Sequence, residues 1–289
     1  MLQITNATVY TPHRIIERGS VTTDGGRIVA VGPAATSTPP PAGAAQIDAG
    51  GRVLAPGFID LQLNGAFGHD FTADPSTIWD VAARLPRYGV TAFLPTIITS
   101  PIAQVEAGMR AVTGGRPQGF RGADPIGIHA EGPFLNARKK GAHNQAYLRP
   151  PSAADVAGWS PASGMRLVTM APELPGALDV IRELTGRGVV VSTGHSMATF
   201  DEAVAGFDAG ARYGTHLFNA MPSLGHRDPG LPGALLADAR MTVGFIADGV
   251  HTHRSIIALV WTLLGAKRLS LVTDAMAALG MPPGAHRLG

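Results

Sequence analysis

The stretch from Val189 to Met221, VVVSTGHSMATFDEAVAGFDAGARYGTHLFNAM, admits few folds. A short β-branched apolar run closes on His195, a helical pattern follows, and RYGTH returns to close on His216. Phe200, Ala203, Val204 and Phe207 recur at i, i+3, i+4 and i+7, which is one face of a helix. Thr199 followed three residues later by Glu202 is a capping-box pattern, and Gly210 is a stop signal. A right-handed crossover makes the two strands parallel, so their C-terminal ends share one side. Two imidazoles at those ends can meet at one point, the geometry of a metal site in a parallel α/β protein.

The same alternation extends over most of the chain. Strand candidates are 58–64, 90–97, 125–131, 166–171, 189–195, 212–216, 241–247 and 268–274. Helical faces lie between most of them: a helix over 77–85 capped by Ser76, then Ile102, Val105, Met109 and Val112. Leu178, Ile181 and Leu184 make another, and Ile256, Leu259, Val260 and Leu263 the last. Pro86 ends or kinks the first. Eight apolar strands alternating with helices over about 230 residues match a (β/α)8 TIM-type barrel in size and order. A doubly wound open sheet is the runner-up, but it wants a G-x-G-x-x-G after its first strand, and none is there.

Residues 2 to 34 read as β-structure, with Asp24 to Gly26 as a turn between SVTT and RIVAV. TSTPPPAG (36–43) is a Pro-rich loop, and 46–54 returns as one more short strand. Strands this few make a thin sheet that needs a partner. With charged residues at 15% and a net charge of +2, nucleic-acid binding through phosphate neutralisation has little support. The absence of Cys excludes disulfides, thiolate metal sites and a Cys nucleophile. No signal peptide and no membrane span is visible, so the cytoplasm is the expected compartment.

Barrels of this class place chemistry at the C-terminal ends of strands. Those ends carry Gln62 and Asn64, Thr96, Glu131, Glu173, His195, His216, Asp248 and Asp274. His195, His216 and Glu131 form a set of two histidines and one carboxylate, a common catalytic zinc arrangement that leaves positions open for water. His129 reads as a packed core residue rather than a fourth ligand. Asp274 is either a general base beside a metal-bound water or a helix N-cap. Asp248 shares that ambiguity with less support. Arg138, Lys139 and Lys140 beside His143 could hold an anionic substrate, though a solvated cluster is the usual reading. The long loop 217–230 carries Asn219 and Arg227, and an arginine there can fork onto a phosphate or carboxylate.

Taken together, PGFIDLQLNG (56–65), HAEGPFLN (129–136), KKGAHN (139–144), STGHS (192–196), GTHLFNAMP (214–222), ADGVH (247–251) and LVTDAM (271–276) resemble the amidohydrolase superfamily. Within it, they are similar to the deacetylases of N-acetylglucosamine 6-phosphate. The resemblance implies a metal-dependent barrel over 55–289 beside a small β-sandwich segment over 1–54. Glu131, His195 and His216 match metal ligands, and Asp274 matches the acid/base. His143 matches a residue that polarises the acetamide carbonyl, and Ala142, His143 and His251 match substrate contacts. The Asn219–Ala220 backbone and Arg227 match phosphate contacts, with Arg227 supplied by the neighbouring subunit of a homodimer. Gln62 and Asn64 stand where many superfamily members have His-x-His. Amides are poor transition-metal ligands, so the resemblance is to a single-metal branch, with Zn2+ expected and Fe2+ or another divalent ion as alternatives. Family chains continue past the eighth strand, so a barrel lacking its last helix and a sandwich lacking its C-terminal strands are expected. The competing readings are another amidohydrolase, such as a cyclic-amide hydrolase or a deaminase, and a chain that binds metal or sugar phosphate without turnover.

Overall fold

Every second side chain of LQITNATVY and IIERGSVTTD turns to one face, and β1 (Leu2–Tyr10) and β2 (Ile15–Asp24) pair antiparallel around buried Ala7, Val9, Ile16 and Val21. Gly25 and Gly26 supply the two positive φ angles, 54° and 77°, that a two-residue hairpin needs, and lead into β3 (Arg27–Pro33). The computed structural model describes residues 1–33, 43–286 and 288, which divide into two units, Met1–Phe58 and Ile59–Gly289. Apart from Gly43, the Pro-rich loop at 36–43 lies outside the described residues.

The single strand expected over 46–54 is instead two, β4 (Ala45–Asp48) and β5 (Val53–Leu54), both parallel to β1. A turn through Gly50 and Gly51, with φ of 59° and 77°, separates them. The first unit is therefore one five-stranded sheet. Ile28, Val29, Ile47 and Val53 of this sheet are exposed.

β6 (Phe58–Leu63) runs into a small hairpin, β7 (Gly65–Ala66) and β8 (His69–Asp70), ahead of β9 (Val90–Ile98). A short β10 (Asp124–Pro125) lies beside β9. β11 (Ile128–Glu131), β12 (Met165–Met170), β13 (Val190–Thr193), β14 (Tyr213–Gly214), β15 (Thr242–Phe245) and β16 (Leu269–Leu271) then pair in sequence order, all parallel. β6 pairs with β9, and a parallel bridge from Leu63 to Ala275 draws the last segment onto the first. Asp274 N donates to Gln62 O at 2.9 Å and Asn64 N to Ala275 O at 2.7 Å across that seam. The result is a near-closed (β/α)8 barrel. Among the described residues no α-helix follows β16, and no helix is long and apolar enough to cross a membrane.

The helices are α1 (Ile78–Ala82), α2 (Ile102–Thr113), α3 (Ala177–Gly186), α4 (Phe200–Ala209), α5 (Gly230–Ala237) and α6 (Arg254–Arg268). The α4 capping box is present: Thr199 Oγ1 accepts from Glu202 N at 3.3 Å, and Glu202 Oε2 accepts from Thr199 N at 2.9 Å. Phe207 is fully buried on its inner face, and a side chain of that size contributes about 1.5–3 kcal/mol by leaving water. Asp74, not Ser76, caps the turn Pro75–Thr77 that precedes α1, because its carboxylate accepts from Ser76 N at 3.0 Å. Pro86 falls in a separate 3-10 turn, Leu85–Tyr88. The buried stripe of α6 runs through Val260 and Leu264, and Leu259 and Leu263 are 51% and 57% exposed. Its contacts follow steps of four from Ile256, which rotates the i+3 positions off the barrel. α5 has no signal in the sequence because it is short and apolar all round.

Candidate functional site

The strands stop earlier than their apolar runs suggest. β13 ends at Thr193 and β14 at Gly214, two residues before each histidine. His195, His216 and Asp274 all lie just past a strand with positive φ, at 49°, 30° and 52°. Non-glycine residues hold that conformation only where surroundings enforce it, and such residues cluster at functional sites. Here the turn swings each side chain over the barrel mouth.

Glu131, at the end of β11, is 2% exposed, His195 4% and His216 3%. Glu131 Oε1 lies 3.1 Å from His195 Nε2 and 3.1 Å from His216 Nε2, and the two Nε2 atoms are 3.0 Å apart. Three adjacent ligands of a tetrahedral zinc ion bound at ~2.1 Å would stand about 3.4 Å apart, close to this triangle. Proton counting also points to a cation. His195 donates from Nδ1 to Lys139 O at 2.7 Å, which leaves a lone pair on Nε2. That lone pair faces a carboxylate oxygen and a second imidazole nitrogen, and one proton cannot satisfy all three contacts. Glu131, His195 and His216 form a group that could hold a metal ion.

Electrostatics within the cluster follow from burial and from Glu131. Burial works against the Glu131 carboxylate, but its contacts with His195 and His216 outweigh that and hold it well below its usual range. Burial likewise disfavours a charged His216, yet the hydrogen bond to Glu131 and the charges of Glu131 and Asp274 lift its pKa. Burial pushes His143 down to about 4 in spite of the Glu131 charge. His143 Nδ1 accepts from Thr99 N at 3.2 Å, so the neutral ring carries its proton on Nε2, 4.0 Å from Glu131 Oε2. Burial, then the charge on Glu131, pushes the Asp274 carboxyl up to about 6.

Gln62 and Asn64 point the same way from the end of β6 and hold the two carboxylates. Gln62 Nε2 donates to Glu131 Oε1 at 3.0 Å, and Asn64 Nδ2 donates to Asp274 Oδ1 at 2.8 Å. Asp274 caps no helix among the described residues. His129 is fully buried between threonines, 2.7 Å from Thr169 Oγ1 and 3.3 Å from Thr96 Oγ1, as a core residue. Gly141 packs its loop on His195, since a Cβ there would lie 3.4 Å from the ring.

The remaining candidates lie further out. Asn219 Nδ2 donates to His216 O at 3.3 Å, and Ala220 O accepts from Ser196 N at 3.2 Å. Ala142 and Arg227 are exposed. His251 is exposed too, held 2.7 Å from Asp248 Oδ2, and that bond lowers the Asp248 carboxyl to about 2. Among the described residues, no hydrogen bond or ion pair joins Ala142, Arg227 or His251 to the cluster. Thr99 and the Lys139 carbonyl have no signal in the sequence: Thr99 lies beyond the expected strand end, and a backbone acceptor has no residue code.

An amidohydrolase family model matches residues 53–281. A Danio rerio N-acetylglucosamine-6-phosphate deacetylase is 42% identical over 84% of this chain, which spans 63% of that relative's length. An N-acetylgalactosamine-6-phosphate deacetylase of Escherichia coli O157:H7 is 36% identical over 90% of this chain and 69% of its own. Among solved structures, a Mycobacterium smegmatis N-acetyl-D-glucosamine-6-phosphate deacetylase variant in complex with N-acetyl-D-glucosamine-6-phosphate superposes with a TM-score of 0.88 at 37% identity. It covers all of this chain and 74% of that one.

Proposed function

This chain belongs to the amidohydrolase family, and on that premise we propose that it hydrolyses the acetamido group of N-acetyl-D-glucosamine 6-phosphate to D-glucosamine 6-phosphate and acetate. The observation that carries this reading is the convergence of Glu131, His195 and His216 at the mouth whose seam holds Asp274. The ligand named for the M. smegmatis neighbour supports the substrate class. Two imidazoles and one carboxylate suit Zn2+ best, with Fe2+ or another divalent ion as the alternative. Once bound, such an ion supplies Lewis acidity, lowering the pKa of water and polarising a carbonyl.

The chain's own residues do the rest. Asp274, fixed by Asn64, takes a proton from the attacking water as the new C–O bond forms. The Nε2–H of neutral His143 donates to the acetamide oxygen as negative charge gathers there. Protonated Asp274 then returns its proton to the sugar nitrogen as the C–N bond breaks, and acetate and the amine leave. The Asn219–Ala220 backbone takes the phosphate, Ala142 and His251 take the sugar, and Arg227 reaches the phosphate from the second subunit of a homodimer. An exposed Arg227 with no described partner supports that last assignment. Phosphorylated sugars carry charge that keeps them from crossing a bilayer unaided, and we place the reaction in the cytoplasm.

The test is acetate release from N-acetylglucosamine 6-phosphate by zinc-loaded protein, with the galactosamine epimer alongside. Acetate from the glucosamine compound at the higher kcat/KM supports the reading. Preference for the epimer moves the substrate to that compound, and one bound metal with no acetate from either leaves a chain that binds without turnover.

A further inference from the structure

Of the two histidines in the cluster, only His195 is braced through its second ring nitrogen. His216 Nδ1 is buried with no partner among the described residues, whereas His195 Nδ1 donates to Lys139 O. The Lys139 carbonyl sits in a 3-10 turn, Ala137–Lys139, capped by Asn136, whose Oδ1 accepts from Arg138 N at 2.9 Å. Asn136 N also donates to His195 O at 2.9 Å, so one residue fixes both the backbone of His195 and the turn that receives its ring. Asn136 is in turn held by a carboxylate. Its Nδ2 donates to Glu173 Oε1 at 3.0 Å. The same carboxylate accepts from Met197 N at 2.6 Å and from Ser196 Oγ at 2.7 Å, the two residues that follow His195. Glu173 lies just past β12, and its three donors come from the loops after β11 and β13.

We infer that Glu173 is a positioning residue: it clamps the loops after β11 and β13 so that His195 presents Nε2 to the ligand triangle with its proton held on Nδ1. Glu173 touches none of the reacting groups. Its oxygens are occupied by Asn136, Ser196 and Met197, and it lines a groove on the outer surface beside Arg182 and Glu202. The geometry explains why three donors converge on one carboxylate. His195 has positive φ, and a turn in that conformation relaxes unless the residues on either side of it are fixed. Partners that orient a metal-binding histidine typically affect metal affinity by about 10–100-fold. The inference rests on the reading of His195 as a metal ligand, and one arm of its test does not.

The experiment compares the full chain with Glu173→Ala and Glu173→Gln. Three quantities are measured: the Zn2+ dissociation constant by chelator competition, the His195 ring tautomer by 15N NMR on metal-free protein, and the metal-free Tm. Phe207→Ala, a large-to-small change in the buried face of α4, serves as a destabilised control. Glu173→Ala is expected to weaken Zn2+ by about 10–100-fold and to erode the Nδ1–H tautomer. Glu173→Gln keeps an oxygen for Asn136 and Met197 and should remain within about threefold of the parent. An unchanged Kd and tautomer in Glu173→Ala overturns the inference, and so does an equal loss of affinity in Phe207→Ala. Should Glu173→Ala fail to fold, Asn136→Ala cuts the same chain one link along, and a parent-like tautomer there overturns the inference equally. A parent protein that takes up no Zn2+ refutes the metal reading, and the tautomer measurement then decides the role of Glu173 by itself.

Discussion

Zinc added to the metal-free protein should raise its Tm by an amount the ligand triangle sets, and His195→Ala should remove most of the rise. A ligand that binds only the native state stabilises it by RT ln(1 + [L]/Kd), about 2.7 kcal/mol at a hundredfold excess over Kd. The unit that carries the triangle has about 230 residues. At ~2.1 cal/mol/K per residue its unfolding entropy is about 0.5 kcal/mol/K, so the expected rise is about 6 °C. His195 supplies one of the three donors, with Nε2 3.1 Å from Glu131 Oε1 and 3.0 Å from His216 Nε2. If its loss weakens the site a hundredfold, the residual stabilisation at the same zinc concentration is RT ln 2, about 0.4 kcal/mol, or under 1 °C. Differential scanning fluorimetry on chelator-treated protein, with and without zinc, reads both numbers. A full rise in His195→Ala would place the stabilising ion elsewhere and refute the assigned ligand set.

Asp274→Asn should retain zinc while kcat/KM falls by about 10²–10⁴, the usual contribution of a positioned acid/base. Burial and the Glu131 charge push this carboxyl up to about 6, and a base is lost as it takes on its proton. The parent's rate should therefore fall as pH drops, with the acid limb at or below 6 because a bound cation opposes both causes. A steady-state pH profile with no acid limb down to pH 4.5 contradicts the role of Asp274. Arg227→Ala should raise KM for the phosphorylated sugar, and mixing it with Asp274→Asn should regenerate part of the activity if the arginine acts in the neighbouring subunit. No recovery on mixing argues for an arginine acting within its own chain. Thr199→Ala removes the cap that accepts from Glu202 N and should lower the Tm of the metal-free protein by about 2 °C, corresponding to ~1 kcal/mol. An unchanged Tm would mean that water replaces the cap.

Eight strands are legible in the sequence because buried parallel strands are short apolar runs separated by helical periodicity, and each expected run overlaps an observed strand. Their ends are less legible. VVVSTGH and RYGTH read as strands through the histidine because Thr, Ser and Gly break neither periodicity nor polarity. The hydrogen-bonded ladder stops two residues earlier, where the backbone crosses to positive φ. The single strand expected over 46–54 errs in the same way, since the Gly50–Gly51 turn sits inside an otherwise acceptable run. The members of the cluster are legible as residue types at strand ends. The partners that fix them are only half so. Glu173 is visible as a polar residue past β12, but what it holds depends on two loops of irregular backbone, and the Lys139 carbonyl carries no side-chain signal at all.

Positive φ at His195, His216 and Asp274 links these observations physically. Below these strand ends the buried interior is occupied by His129 and its threonines. A turn past the strand end lifts the side chain to the mouth instead, at a cost of about 1–3 kcal/mol for each such residue. A backbone hydrogen bond fixes each turn: Asn136 N to His195 O from the loop after β11, Asn219 N to His216 O within the turn itself, and Asp274 N to Gln62 O across the seam. Two of those three anchors lie in the loops after β11 and β14. The third is the seam that closes the barrel. Closing the barrel and aiming the base are therefore one structural event, and a change that opens the β6 seam should move Asp274 before it disturbs Glu131, His195 or His216.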